Sequence, residues 1–256
     1  MNKVLAVVNQ KGGVGKTTTS VNLSASMASL GVKVLLVDID PQGNTTSGLG
    51  VEKKDMDYCI YDILINETSP AEVILKTRYP NLNLIPASIQ LAGAEVEMVS
   101  VISRESILRA ALLPLKEEYE YIIIDCPPSL GLLTLNALTA ADGIIIPIQC
   151  EYYALEGLGQ LINTINLVKK HLNTGLALEG VVLTMFDGRT NLANQVAAEI
   201  KEYFNDKVYR SVIPRNIRLS EAPSFGKPII DYDPKSKGSE EYLALAKEVM
   251  SLERKE

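Results

Sequence analysis

The sequence predicts a single-domain, doubly wound α/β fold with a mostly parallel sheet, spanning residues 1–256. Three observations predict it. Short Val- and Ile-rich runs recur along the chain. They lack in/out alternation, which is how strands read when both faces of a sheet are buried. Helical stretches lie between them, and such alternation implies right-handed βαβ crossovers.

The elements follow in order. Strands are expected at residues 4–8 (VLAVV), 34–37 (VLLV), 121–125 (YIIID), 143–148 (GIIIPI), 180–185 (GVVLTM) and 208–213 (VYRSVI). A helix is expected from Thr17 to Leu30, rich in Ala, Leu and Ser, with Gly31 as its C-terminal stop. Leu155 to His171 is apolar at Leu158, Leu161, Ile162, Ile165 and Val168, the spacing of one helix face. Asn191 to Phe204 and Ser239 to Leu252 read the same way. The polar stretch from Gln42 to Asp57, with Gly43, Gly48 and Gly50, reads as a loop. No repeat, low-complexity tract or linker divides the chain.

Composition excludes several function classes. At 46% hydrophobic and 22% charged residues, the chain can bury a sizeable core and is not disordered. Net charge is −6, which taken whole does not suit a nucleic-acid coat or a polybasic membrane binder. Cys59, Cys126 and Cys150 are too few and scattered for a disulfide framework or a local zinc motif. They read as small core residues in a reducing compartment. The first apolar run is too short for a signal-peptide core, and no run reaches transmembrane length. A cytoplasmic protein is expected.

The decisive segment is Lys11-Gly12-Gly13-Val14-Gly15-Lys16-Thr17-Thr18, which follows a strand and opens a helix. Against G-x-x-x-x-G-K-[ST], the first position falls at Gln10, so its glycine is missing; Gly15-Lys16-Thr17 fits, and Gly12 and Gly13 add freedom. Glycines let the backbone wrap a phosphate with its N–H groups inward. The helix N-terminus adds a favourable dipole. Lys16 would reach the β- and γ-phosphates of a nucleotide, and the Thr17 hydroxyl would ligate Mg²⁺.

With Lys11 opening it, the loop resembles that of the ParA/MinD family of deviant Walker A P-loop ATPases. The likeness is nearest to the chromosomal ParA group called Soj, and the family motif K-G-G-x-G-K-[ST] stands intact. The resemblance implies that Lys11 crosses an ATP-dependent homodimer to the partner subunit's nucleotide.

Two carboxylates end predicted strands. The segment Asp38-Ile39-Asp40-Pro41-Gln42-Gly43-Asn44 leaves the strand at 34–37, at the ligand edge of such a sheet. The string is the family's signature there. By resemblance Asp40 orients the attacking water and stands with the metal set, while Asp38 supports the site. Asp125 ends YIIID before Cys126-Pro127-Pro128 and fits a Walker B acid that holds Mg²⁺ or its waters. The family has D-x-P-P here, leading into a switch segment at Ser129–Leu133. In relatives the loop after the strand at 208–213 meets the adenine, making Pro214 and Asn216 candidates for base recognition.

Positive charge is local. Residues 201–238 hold eight basic and five acidic residues, leaving −9 for the rest of the chain. Composition alone favours a solvated mixed surface. The resemblance instead implies that Arg189 and Arg218 bind double-stranded DNA without sequence preference, in the ATP dimer, with Lys227 as a further candidate. It also implies nucleoid association and a ParB/Spo0J-type partner that stimulates slow hydrolysis. Related proteins regulate the replication initiator and sporulation genes, and the resemblance extends that role here.

Two rivals share the phosphate loop. A MinD-like ATPase would carry a membrane-binding C-terminal helix, but Ser239 to Glu256 has five Glu against three basic residues, which suits packing on the domain better than an anionic membrane. A metabolic enzyme would use ATP on a small substrate; the D-x-D-P-Q-G-N and D-x-P-P strings favour the switch. The loop begins at residue 11, which leaves no room before it for an operator-binding domain.

Overall fold

The computed structural model describes residues 2–52, 54, 56–152, 154 and 158–252. The strands are β1 (Lys3–Val7), β2 (Val34–Asp38), β3 (Leu75–Lys76), β4 (Leu82–Ile85), β5 (Tyr121–Asp125), β6 (Gly143–Gln149), β7 (Ala177–Phe186) and β8 (Val208–Pro214). They form one eight-stranded sheet in the order β3-β4-β2-β5-β1-β6-β7-β8. Every pairing is parallel except β3 with β4.

The helices are α1 (Lys16–Ser29), α2 (Asn44–Gly48), α3 (Ile60–Ile65), α4 (Pro70–Val73), α5 (Leu91–Glu97), α6 (Ile107–Leu112), α7 (Leu132–Ala140), α8 (Leu158–His171), α9 (Asn191–Phe204), α10 (Ile217–Glu221), α11 (Ile229–Tyr232) and α12 (Lys237–Leu252). They cover both faces of the sheet. In β1, Val4 and Ala6 join one core and Leu5 and Val7 the other. In β2, Leu35 and Val37 face the first, and Val34 and Leu36 the second. Each strand is therefore apolar throughout because both of its faces are covered. The second core receives Leu23 and Met27 from α1 and Tyr242, Leu245 and Val249 from α12. The first receives α3 and α5 to α9.

The fold matches the predicted class, with local differences. Helix α1 stops as expected. Gly31 N–H donates to the Ala28 carbonyl at 3.0 Å and Val32 N–H to that of Met27 at 3.2 Å, the pair of bonds that closes a Schellman motif. β7 is longer than the predicted strand. The stretch read as a loop after Gln42 contains α2. Between residues 58 and 118 lie two strands and four helices that the apolar runs did not announce. Each is four to seven residues or shorter, too brief to show a period. Leu155 to Gly157, the expected start of the helix at 155–171, and residues 253–256 lie outside the described residues. Among the described residues, no helix is long and apolar enough to cross a membrane.

Register aligns the chemistry. Val7 and Asp38 both pair with Asp125 across the three neighbouring strands β1, β5 and β2. The loop after β1 and the acids of β2 and β5 therefore meet at one edge of the sheet.

Candidate nucleotide site

The phosphate loop is built by its neighbours. Asn9 is buried, and its Nδ2 donates to the Pro147 carbonyl at 2.7 Å while its Oδ1 accepts from Lys11 N–H at 3.0 Å. Gly13 and Gly15 lie in the left-handed region, at φ 75° and 89°, where a side chain would be strained. Gly15 is the N-cap of α1 and accepts from Thr19 N–H at 2.8 Å. On the far side, Thr184 Oγ1 donates to the Val14 carbonyl at 2.8 Å and fastens the loop to β7.

A cavity of about 900 Å³ opens above this loop. Gly12, Gly13, Gly15, Lys16, Thr17 and Thr18 line its floor. Asp40, Gln42, Asn44 and Pro128 form one wall. Met185, Pro214, Arg215 and Asn216, at the exits of β7 and β8, contribute to the other. The structure thus brings the two base-recognition candidates to the same cavity as the loop. Asn216 also caps α10, its Oδ1 accepting from Arg218 N–H at 2.8 Å. Val14 is buried instead of lining the cavity.

Lys16 is buried, and its Nζ donates to the Lys11 carbonyl at 3.0 Å. Burial pushes its pKa down, opposed by the charges of Asp125, Cys126 and Asp40. The Lys11 ammonium points elsewhere, into an ion pair with Glu151 of the same chain.

Asp125 lies beneath the cavity, fully buried in a cage of hydroxyls. Thr17 Oγ1 donates to its Oδ2 at 2.9 Å, Thr45 Oγ1 to the same oxygen at 2.7 Å, and Ser20 Oγ to Oδ1 at 2.9 Å. Asp38 beside it accepts from Thr46 N–H at 2.9 Å, Thr46 Oγ1 at 2.7 Å and Asp40 N–H at 3.1 Å. Burial raises the pKa of both acids, and the charge of Asp125 raises that of Asp38 further. Asp40 accepts from Gln42 N–H through Oδ1 at 2.9 Å. Among the described residues its Oδ2 takes no hydrogen bond.

The donors suit a hard cation. Thr17, Asp40 and Asp125 offer only hydroxyl and carboxylate oxygens, which are Mg²⁺ ligands. No group of three or more His, Cys, Asp or Glu that could hold a metal occurs among the described residues. A few protein oxygens plus phosphates and waters are the usual Mg²⁺ arrangement in nucleotide sites.

The two arginines expected at a DNA surface lie past the same strand ends. Arg189 follows β7 and is highly exposed, its Nε and Nη2 donating to Asp187 at 2.8 and 2.6 Å. Those bonds hold the Asp187 carboxyl down at about 2. Arg218, on α10, donates through Nη1 to Glu221 at 2.9 Å. Lys227 pairs with Asp231 at 3.3 Å. All three cysteines are buried and free, as expected of small core residues.

Sequence reasoning missed Thr45, Thr46, Ser20 and Thr184, which hold the acids and the loop, and Glu151, which holds Lys11. The hydroxyl runs Thr17-Thr18-Thr19-Ser20 and Thr45-Thr46-Ser47 were the available signal.

A glycine loop between a central strand and a helix, with acids closing its edge and a lysine at its start, defines a P-loop NTPase of the deviant Walker A kind. A model of the AAA domain matches residues 2–178. The sporulation initiation inhibitor protein Soj of Bacillus subtilis is 66% identical, over 97% of this chain and 98% of its own. The chromosome partitioning protein ParA of Myxococcus xanthus is 57% identical, over 98% of this chain and 88% of its own. Among solved structures, cobyrinic acid a,c-diamide synthase from Mycobacterium smegmatis, with bound ADP and magnesium, superposes with a TM-score of 0.88 at 37% identity, covering 99% of this chain and 96% of that one. The chain belongs to the Soj/ParA family of chromosome-partitioning ATPases, as its loop motif implied.

Proposed function

We propose that this chain is an ATP-dependent dimerising switch for DNA partitioning. One observation carries the reading: Lys16, Thr17 and Asp40 converge on a cavity whose other wall holds Pro214 and Asn216. That is room and chemistry for a triphosphate at one end and a base at the other. A structural neighbour solved with an ATP analogue and magnesium supports the ligand.

The chemistry is phosphoryl transfer to water, which depends on positioning and charge neutralisation. Lys16 meets the phosphates, with the loop amides and the α1 N-terminus beside it. Thr17, Asp40 and Asp125 form the Mg²⁺ set, and Asp125 fixes the Thr17 hydroxyl. Bound Mg²⁺ supplies neutralising charge on the phosphates. Asp40 Oδ1 is held by Gln42, so Oδ2 is left to orient the attacking water. Lys11 exchanges Glu151 for the partner subunit's ATP when two chains close.

The closed dimer binds duplex DNA without sequence preference through Arg189 and Arg218. It resides at the cytoplasmic nucleoid until a ParB/Spo0J-type protein stimulates hydrolysis. Regulation of the replication initiator belongs to the same reading. Should the dimer neutralise on the order of four phosphates, log K falls with log salt at a slope near −3.6.

The test is size-exclusion chromatography of Asp40→Ala with and without ATP, with duplex DNA binding measured in each state. The expected result is an ATP-dependent dimer that holds DNA while turnover falls at least about 100-fold. Rapid turnover by this variant removes Asp40 from its role, and a protein that stays monomeric with ATP sinks the switch.

The rivals meet specific observations. Tyr242, Leu245, Ala246 and Val249 of α12 are buried against the domain, so the face a membrane helix needs is already used. A metabolic enzyme of the synthase kind would show turnover raised by a small acceptor and indifferent to DNA.

A further inference from the structure

Neither of the expected DNA arginines is a free cation. Asp187 occupies the Nε–Nη2 fork of Arg189 with both oxygens. Arg218 is held by Glu221 at 2.9 Å and lies 3.6 Å from Asp233. Between them in sequence lies Arg215, which the charge pattern counted but did not single out. It follows β8, where Phe186 and Pro214 are register partners. Its N–H donates to the Phe186 carbonyl at 3.1 Å. Arg215 therefore stands beside Asp187, the residue after Phe186, at the common end of β7 and β8. It is exposed and makes no ion pair among the described residues.

A guanidinium fork fits a carboxylate and a phosphate in the same planar, bidentate way. A phosphate that takes the Nε–Nη2 fork of Arg189 displaces Asp187 and exchanges one anion for another. A phosphate arriving at Arg215 displaces no carboxylate and gains the whole contact. Asp187 stays ionised beside both, since the Arg189 hydrogen bonds and, to a smaller extent, the Arg215 charge hold its proton off.

We propose that Arg215 is a third contact for the backbone phosphates of duplex DNA, and that Asp187 is the acid that competes with those phosphates for Arg189. This rests on the DNA-binding reading above and names the residues that set its strength. Arg215 also lines the nucleotide cavity, so the DNA surface and the nucleotide share a wall.

The experiment is fluorescence anisotropy with a labelled duplex of arbitrary sequence, at saturating ATP, across a range of KCl. Wild type, Asp187→Asn, Arg215→Ala and Arg218→Glu are compared. Asp187→Asn is expected to bind roughly three- to tenfold tighter at low salt, the scale of one weak exposed ion pair released in each subunit. Damage to the fold does not produce such a gain. Arg215→Ala is expected to bind more weakly and to flatten the log–log slope by about 1.8, for two contacts per dimer. An unchanged slope in Arg215→Ala, or weaker binding by Asp187→Asn, overturns the proposal. So does a loss in Arg215→Ala that vanishes when ATP is raised beyond what saturates wild type, because Arg215 then serves the nucleotide alone. Wild type that binds no DNA with ATP overturns the parent reading and this proposal with it. Loss of binding in Arg218→Glu with no effect at Arg215 and Asp187 overturns this proposal only.

Discussion

The acids under the phosphate loop and the acids past β7 and β8 are held in opposite ways. Asp38 and Asp125 are fully buried and satisfied by hydroxyls and backbone amides. Asp187 and Glu221 are half-buried at the surface and are satisfied by exposed arginines. A buried carboxylate requires donors fixed by the fold, because leaving it unsatisfied is expensive. Such a site is already arranged before a nucleotide arrives and reorganises little. An exposed ion pair is weak and easily exchanged. The first arrangement suits chemistry on a bound phosphate; the second suits a surface that trades one anion for another.

Lys16→Ala should break the buried half most severely. It removes the cation proposed to meet the phosphates, and nucleotide affinity should fall at least about 100-fold by calorimetry, since charge-assisted contacts to phosphate are among the strongest. Near-normal ATP affinity would place the nucleotide elsewhere. Thr46→Val tests the cage itself. It removes the 2.7 Å bond to Asp38 and orphans the Ala87 N–H, which donates to Thr46 Oγ1 at 3.0 Å. Both partners are buried, so unfolding stability should drop by about 2–3 kcal/mol, read from the urea midpoint. A midpoint that does not move would show that the hydroxyl cage is dispensable.

Much of the buried half was legible because its chemistry is contiguous. Gly12 to Thr18 is one segment, Asp38 and Asp125 each end an apolar run, and Asp40 follows two residues after Asp38. The holders of these groups were not legible, since their partners are distant in sequence: Thr184 meets Val14 across 170 positions and Thr45 meets Asp125 across 80. No local spacing encodes such pairs; the register of β1, β5 and β2 does. The short helices between residues 58 and 118 escaped for a different reason, being too brief for periodicity to show. Lys11 was legible as an unusual residue, but its pairing with Glu151 depends on where β6 ends.

Arg218→Ala makes the smallest demand on the fold and so sharpens the contrast. Its side chain is 52% exposed, and Glu221 keeps a hydrogen bond from Tyr232 Oη at 3.0 Å when the arginine is gone. No buried group loses its partner, so the urea midpoint should stay where it is in wild type. DNA binding should nonetheless weaken by about an order of magnitude at low salt, with a flatter salt dependence, because on the proposed reading two phosphate contacts leave the dimer. The two readouts must separate. If Arg218→Ala lowered the midpoint as far as Thr46→Val does, its ion pairs with Glu221 and Asp233 would be structural, and the exposed half would not be the exchangeable surface that its solvent-facing pairs indicate.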